Sequence, residues 1–488
     1  MTTLARRALR CAAPRSLAAA LPALLPNLLL VACAVQPPAA PADQALPPQW
    51  AEAATVSPGA VAVDGAWWRG FGSPQLTRLV AQAEAGSADL RIAAERLRQA
   101  QIAWQQTDIA RLPVALTAAT GRTGFRTDAP GTPAVSGRNS GTELNLSISY
   151  EVDLWGRVAA GLQASELRVA ASRFDLDAAR LSLQSTVAQT YFQWLATQER
   201  LRIARENVAI AERVLRIVEA RWRNGVATPL EVSQQRSTVL AQQTALVPLE
   251  VQLRQTESAL ALLMGAMPQT GAGLQPEGLM SLAIPEVAPM LPSELLLRRP
   301  DLAASEAQLA AARADVVAAR AELLPSVALT GSAGLGTTAL LSLANPTTTA
   351  AISLSLAHTV FDRGRLRLQA EGVESQWLVL LETYRSAVRT AFKEVDDGLS
   401  NADRSRHQEL LQRELVEQAG RTLRLAELRY REGAGDLLAV LDAQRALFSA
   451  QEGLVTQRLD RLVATLDLYK ALGGGWRRDE GSPVYKQE

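Results

Sequence analysis

Cysteine is nearly missing from this 488-residue chain, which carries only Cys11 and Cys33. Two thiols supply no disulfide framework of the kind that staples small secreted domains. Histidine is as scarce: His358 and His407 stand apart, with no spaced His/Cys cluster to suggest a metal centre. No nucleophile elbow or metalloprotease motif accompanies the many serines and aspartates, so the chain does not read as an enzyme. Charge of one sign is lacking too, and a net charge of +1 gives no basic field for nucleic acid. Past the amino-terminal leader there is no run of eighteen apolar residues, which excludes a membrane-spanning helix. Any spanning part must then be a closed β-barrel, the other structure that satisfies its backbone in lipid.

The leader occupies residues 1–32. Arg6, Arg7, Arg10 and Arg15 precede an apolar, acid-free run over 17–32, the layout of a secretory signal. Its last residues, Leu30-Val31-Ala32-Cys33, resemble the lipobox of bacterial lipoproteins. That resemblance implies cleavage before Cys33 and a covalent lipid on its sulfur; no cofactor or metal is expected. Ala34 replaces the aspartate that retains lipoproteins at the inner membrane, which points to the outer membrane. Without the leader the chain has 46 basic against 49 acidic residues. Residues 33–64, rich in Ala and Pro, read as a lipidated tether.

What is abundant is Ala, Leu, Gln, Arg and Glu, the composition of long packed helices. Val187, Trp194, Leu201, Val208, Leu215 and Trp222 recur every seven residues, the interval of a coiled-coil seam. They lie in a helical run over 157–223, a rod roughly 100 Å long. Asn224-Gly225 break that run and Thr228-Pro229 open the returning helix, where Leu246, Leu253 and Leu260 are again seven apart. Shorter helices are predicted near 74–85 and 89–111.

Residues 142–154 have a different texture. Leu144, Leu146, Ile148, Tyr150, Val152 and Leu154 alternate with Glu143, Asn145, Ser147, Ser149, Glu151 and Asp153. Period two with one apolar and one polar face predicts a strand between unlike solvents. A weaker alternation (Val114, Leu116, Ala118) precedes it, and the polar segment 121–141 reads as a long hairpin loop.

The pattern then occurs again. Asp301-Leu302 match Asp89-Leu90 and Leu324-Pro325 match Leu112-Pro113 at an offset of 212. Gly364, Gly433 and Gly473 match Gly156, Gly225 and Gly265 at an offset of 208, so the second hairpin is shorter by four residues. Its second strand alternates through Ile352, Leu354, Leu356 and Val360, with His358 on the same strand. Leu381, Val388 and Val395, then Leu441, Phe448, Val455, Leu462 and Tyr469, carry the seam through the second pair of long helices. Gly331, Gly334 and Gly336 lead to no helix and carry no lysine; they read as part of an extracellular loop rather than a nucleotide site. The predicted layout is a signal over 1–32, a tether over 33–64, and a first repeat over 65–264 with its β-hairpin at 113–154 and helical hairpin at 157–264. An equatorial connector over 265–299 follows. The second repeat covers 300–475, with hairpins at 325–361 and 365–472, and a tail covers 476–488.

Four strands are too few to close a water-filled barrel, for which about eight is the minimum. Copies must combine. The fold class is α+β, mainly α, with four strands per chain; a trimer would give twelve strands, a β-barrel continued by a coiled-coil α-helical barrel, but the pattern alone does not set the number at three.

Several motifs carry a family resemblance: Asp153-Leu154-Trp155-Gly156-Arg157, Leu297-Arg298-Arg299-Pro300-Asp301-Leu302, Arg429-Tyr430-Arg431-Glu432-Gly433 and Val440-Leu441-Asp442-Ala443. Together they resemble the TolC-like outer-membrane efflux proteins and, with the lipobox, their NodT/OprM lipoprotein branch. The resemblance spans roughly 65–475. It implies a homotrimeric channel tunnel in outer-membrane lipid, with its helical barrel in the periplasm. The implied partners are a periplasmic membrane-fusion adaptor and an inner-membrane pump of the resistance-nodulation-division type. The helical turns are then the adaptor-docking tips, with Asn224, Gly225, Thr228, Glu432, Gly433 and Asp436. Asp442 matches the aspartate ring of the periplasmic entrance, and Tyr430 the tyrosine that holds it closed. Gly435 occupies the place of the family's latch arginine, and Arg429 or Arg431 is the candidate substitute. The Arg298-Arg299-Pro300-Asp301 stretch reads only as a helix start. Protein secretion through a type I system, and a pore-free periplasmic coiled coil, are the alternative functions.

Overall fold

The computed structural model describes residues 38, 47–51, 64–128, 130–287 and 291–478. Cys33, the leader and most of the tether lie outside the described residues. The chain divides into two compact units, each drawing on both repeats.

One unit, over 104–165 and 311–378, is built on a four-stranded antiparallel sheet in the order β1-β2-β3-β4. The strands are β1 (Val114–Thr127), β2 (Val135–Val152), β3 (Ser326–Thr337) and β4 (Thr347–Ala357). Register turns the sequence alternation into ladders. Leu116, Leu146, Ala333 and Ala350 stand in one row, and Val114, Ile148, Gly331 and Ile352 in the next. The row on the other side of Leu116 is Thr117, Asn145, Gly334 and Thr349, on the opposite face. One face is thus apolar across all four strands, yet Leu116, Leu146, Ile352, Leu354 and Leu356 are exposed in the single chain.

Three strand expectations need correction. Most of 121–141 is strand rather than loop, because the β1–β2 ladder continues out to Thr127 and Val135. There Phe125 lies across its partner Gly137, where an added Cβ would come within 2.5 Å of the ring. Gly331, Gly334 and Gly336 sit inside β3 rather than in a loop; a Cβ on Gly331 would press Ile148 at 3.1 Å, and one on Gly334 would meet Thr349 at 3.0 Å. Finally, β4 stops at Ala357, so His358 and Val360 follow the strand.

The first family motif has a physical role at the end of β2. Asp153 accepts from the backbone N–H groups of Val158 (3.1 Å) and Ala159 (2.8 Å), capping the next helix. Trp155 Nε1 donates to the Pro325 carbonyl at 2.6 Å, which ties the two hairpins together. Arg157 pairs with Glu151.

The other unit, over 41–103, 166–310 and 379–488, is helical. Short helices α1 (Pro74–Gly86), α2 (Ala88–Ile109) and α5 (Pro300–Ala321) accompany the long α3 (Arg157–Arg223), α4 (Pro229–Leu263), α6 (Arg363–Arg431) and α7 (Leu437–Ala471). None of these helices is long and apolar enough to cross a membrane. The few aromatics are concentrated. Trp67 stacks on Tyr469 with centroids 5.6 Å apart, and Phe71 meets Phe192 at 5.0 Å, in a cluster that includes Trp68, Tyr191 and Trp194. Leu381, Val388, Val395, Leu441, Val455, Leu462 and Tyr469 are buried, as a seam requires. In α3, Val187, Trp194 and Leu201 are buried, but burial then moves to Ala204, Asn207, Ala211, Val214 and Val218. Val208 and Leu215 are half-buried, and Trp222 is exposed.

Arg299 does more than begin a helix. It is 9 % exposed, forks onto Asp301 (3.0 and 2.7 Å), and also donates to Glu394 (2.6 Å) and the Ala471 carbonyl (3.3 Å). The start of α5 is thereby joined to α6 and α7. A lysine keeps the charge but cannot fork, so Arg299→Lys should cost about 1–2 kcal/mol of stability, read as a lowered Tm in detergent.

Candidate functional site: the helical tips

Each long helical hairpin turns by the same device. At the end of α3, Gly225 takes φ 76° and the N–H of Val226 reaches back to the Arg221 carbonyl at 3.0 Å. At the end of α6, Gly433 takes φ 79° and Ala434 reaches Arg429 at 2.9 Å. Both bonds satisfy helix-end carbonyls, and the left-handed residue that permits them is best a glycine. The first tip is tightened further by Asn224 Nδ2 donating to the Ala220 carbonyl at 2.9 Å.

The returning helices are capped unequally. Thr228 and Glu231 form a reciprocal capping box at α4, in which the Thr228 N–H donates to Glu231 Oε2 at 2.6 Å. Asp436 caps α7 alone, accepting from Ala439 N at 2.9 Å.

Glu231 has a second use. Tyr430, only 2 % exposed, donates its phenol to Glu231 Oε1 at 3.2 Å, so one carboxylate serves both cap and cross-hairpin bond. Arg221 lies over the Tyr430 ring, its Cζ 4.6 Å from the centroid, and donates to the Tyr430 carbonyl and to that of Arg431 (3.4 Å). Burial, with the charge and acceptance of Glu231 beside it, pushes the Tyr430 phenol up to about 12. The phenol therefore stays a proton donor throughout the physiological range. Val214, Val218, Leu423, Leu437 and Val440 close the apolar cluster around it.

Arg429 and Arg431, the candidate substitutes for the latch arginine, make their contacts away from Tyr430 within the chain. Arg429 is exposed and donates to the Ala434 carbonyl of its own loop at 3.3 Å. Arg431 is exposed and pairs with the neighbouring Glu432 at 3.1 Å. The cation at Tyr430 is Arg221, which the sequence reading did not single out. One signal was available: Arg221-Trp222-Arg223 and Arg429-Tyr430-Arg431 are both an aromatic residue between two arginines, at the repeat offset. Asp442 is exposed one turn into α7 and pairs with Arg445 at 3.3 Å. The tips thus juxtapose Tyr430, Glu231 and Arg221 in one bonded group, while Asp442, Arg429 and Arg431 face solvent. These contacts bond the end of one long helical hairpin to the end of the other.

The sequence pattern described as outer membrane efflux protein matches residues 79–266 and again 291–474. The two matches begin 212 residues apart and end 208 apart, the same two offsets as the internal repeat. The chain is 39% identical over 463 residues to the pyoverdine export outer membrane protein OpmQ of Pseudomonas putida, covering 93% of this chain and 97% of that one. It is 32% identical over 410 residues to the toluene efflux pump outer membrane protein TtgI of Pseudomonas putida, covering 83% and 86%. Among solved structures, the outer-membrane channel OprN superimposes with a TM-score of 0.83 at 26% identity, covering 91% of this chain and 99% of that one.

Proposed function

The chain belongs to the outer membrane efflux protein family, and from that premise we propose that three copies form a passive conduit taking small toxic or exported molecules from a periplasmic adaptor and inner-membrane pump to the exterior. It is an outer-membrane efflux channel, in a family of transport proteins rather than enzymes. The observation that carries the finer reading is the two-faced sheet. Its apolar ladder needs lipid, its polar ladder needs water, and its edge strands β1 and β4 have no partner within the sheet. Pairing β4 of one copy with β1 of the next closes twelve strands and removes every edge. The helical hairpins then gather into a tunnel whose tips meet the adaptor, and a lipid on Cys33 anchors the chain to the outer membrane. Named relatives differ in cargo, pyoverdine for one and toluene for another, which fits a conduit whose pump does the selecting.

In this reading the Tyr430–Glu231–Arg221 group holds the periplasmic end closed, and three copies of Asp442 line it with negative charge that collects cations. Planar-bilayer recording tests it. Wild-type protein should give small, cation-selective conductance, and Tyr430→Phe should raise open probability about tenfold, as expected for losing one hydrogen bond to a charged acceptor. Protein that elutes as a stable monomer and passes no ions would refute the proposal.

A further inference from the structure

The strands of the sheet carry three arginines and two glutamates, and the register sorts them by face. Ladder partners project to the same side of a sheet. The apolar rows Leu116–Leu146 and Ala118–Leu144 therefore continue into Thr120–Thr142, Arg122–Ser140, Gly124–Arg138 and Arg126–Ser136. Arg122, Arg138 and Arg126 thus follow one another along the apolar face, each diagonal to the next. Glu143 and Glu151 stand on the other face. All three arginines are exposed; Arg126 pairs with Asp128 at 3.1 Å, and Arg122 and Arg138 form no ion pair among the described residues.

Their height on the sheet is as specific as their face. The chain enters this hairpin at Val114 and leaves it at Val152 toward α3, so the arginines lie toward its turn, the exterior end of the wall. At about 3.3 Å per residue, Arg122 stands about 13 Å of strand beyond Leu144, and Arg138 about 20 Å. A barrel tilt of about 40° reduces these to roughly 10 and 15 Å, among lipid headgroups rather than chains. A second feature adjoins them on the same face, where the β3–β4 loop folds back. Ser140 Oγ donates to the Thr338 carbonyl and Thr142 Oγ1 to that of Ala339, both at 2.8 Å, and the Leu341 N–H reaches Thr120 Oγ1 at 3.4 Å. These bonds hold the exposed Leu340, Leu341 and Leu343 beside the arginines. Leu341 is 85% exposed at φ 53°, an unfavourable left-handed backbone that turns an apolar side chain outward.

We propose that Arg122, Arg126 and Arg138, with the loop over 340–343, bind an acylated lipid of the outer leaflet that carries more than one phosphate. Guanidinium forks match phosphate oxygens, and Arg122 and Arg126 are about 13 Å apart along β1, too far for one phosphate to span. The leucines meet the acyl chains. An anion filter inside the passage, the other use for such a cluster, would place the arginines on the face of Glu143 and Asn145.

This rests on the channel reading, because it takes the apolar face as the lipid side. The full-length acylated protein in neutral detergent is titrated with bisphosphorylated lipid A, and bound lipid is counted by native mass spectrometry. Wild type should bind it at least about tenfold more tightly than lipid A stripped of both phosphates, or than phosphatidylglycerol. The triple variant Arg122→Gln, Arg126→Gln, Arg138→Gln should lose that preference, and Leu341→Ser should weaken binding about threefold. Equal binding of the lipids by wild type, a preference that survives the triple variant, or full displacement by inorganic phosphate overturns the inference. If wild type assembles and conducts in bilayers while these outcomes fail, only the lipid site falls; if it neither assembles nor conducts, the channel reading falls with it.

Discussion

Glu409→Ala lowers the stability of the helical unit by about 3–5 kcal/mol, the cost of leaving buried charge without its partner. Glu409 is 1% exposed and accepts from three arginines: Arg413, Arg458 (3.2 Å) and Arg461 (2.8 Å). Arg458, itself 5% exposed, turns its other nitrogens to the carbonyls of Leu279, Met280 and Leu282. One carboxylate thus holds α6, α7 and the connector, and its removal strands a guanidinium in the interior. Burial alone would raise the Glu409 carboxyl; hydrogen bonds from Arg461 and Arg413 and the charge of Arg458 outweigh it and hold it below its usual range. A group depressed on folding gives its full stabilisation above the unfolded value, near 4.3, and loses it as pH falls through the folded one. Thermal melts followed by circular dichroism should therefore show a wide gap between wild type and variant at neutral pH. That gap should narrow only in acid, below about pH 4. A gap that is constant with pH would contradict the assignment.

Leu146→Arg and Asn145→Arg should behave as opposites although the residues are adjacent. Leu146 stands in the apolar row with Leu116 and Ala333, and an arginine there faces hydrocarbon at a cost of about 2–4 kcal/mol near the bilayer midplane. The expected result is loss of the protein from the outer-membrane fraction. Asn145 stands in the row of Thr117 and Gly334, on the water side. Asn145→Arg should assemble at wild-type levels and shift the conductance toward anions. Equal effects from both would mean that the two faces do not meet different solvents.

The sequence was legible where one rule governs a whole element. The seven-residue spacing located the seams of α6 and α7, and the period of two located β2, because each buries one stripe or one face. It was misleading where the solvent is the same on both sides. Through 121–141 the ladder continues mostly with polar residues and glycines, Phe125 and Val135 aside, so the alternation that marks a membrane strand disappears while the strand does not. The stripe Val208, Leu215 and Trp222 is a seam by spacing, yet the single chain buries its neighbours Val214 and Val218 instead. Charged residues were the hardest to read. Glu409, Arg458 and Arg299 look like solvated faces of long helices, and Arg221 meets Tyr430 across 209 residues; burial and partnership of that kind are tertiary and leave no local pattern.

The most direct test of the two-faced sheet is cysteine accessibility along β2 in the protein reconstituted into planar bilayers. Single cysteines from 143 to 150, each compared with the wild-type chain as the control for Cys11 and Cys33, are treated with a charged, water-soluble thiol reagent during bilayer recording. Positions 143, 145, 147 and 149 should react and reduce conductance, while 144, 146, 148 and 150 stay unlabelled. Uniform labelling of both sets, or labelling that leaves the current unchanged, would contradict a barrel wall with lipid on one side and a water-filled passage on the other.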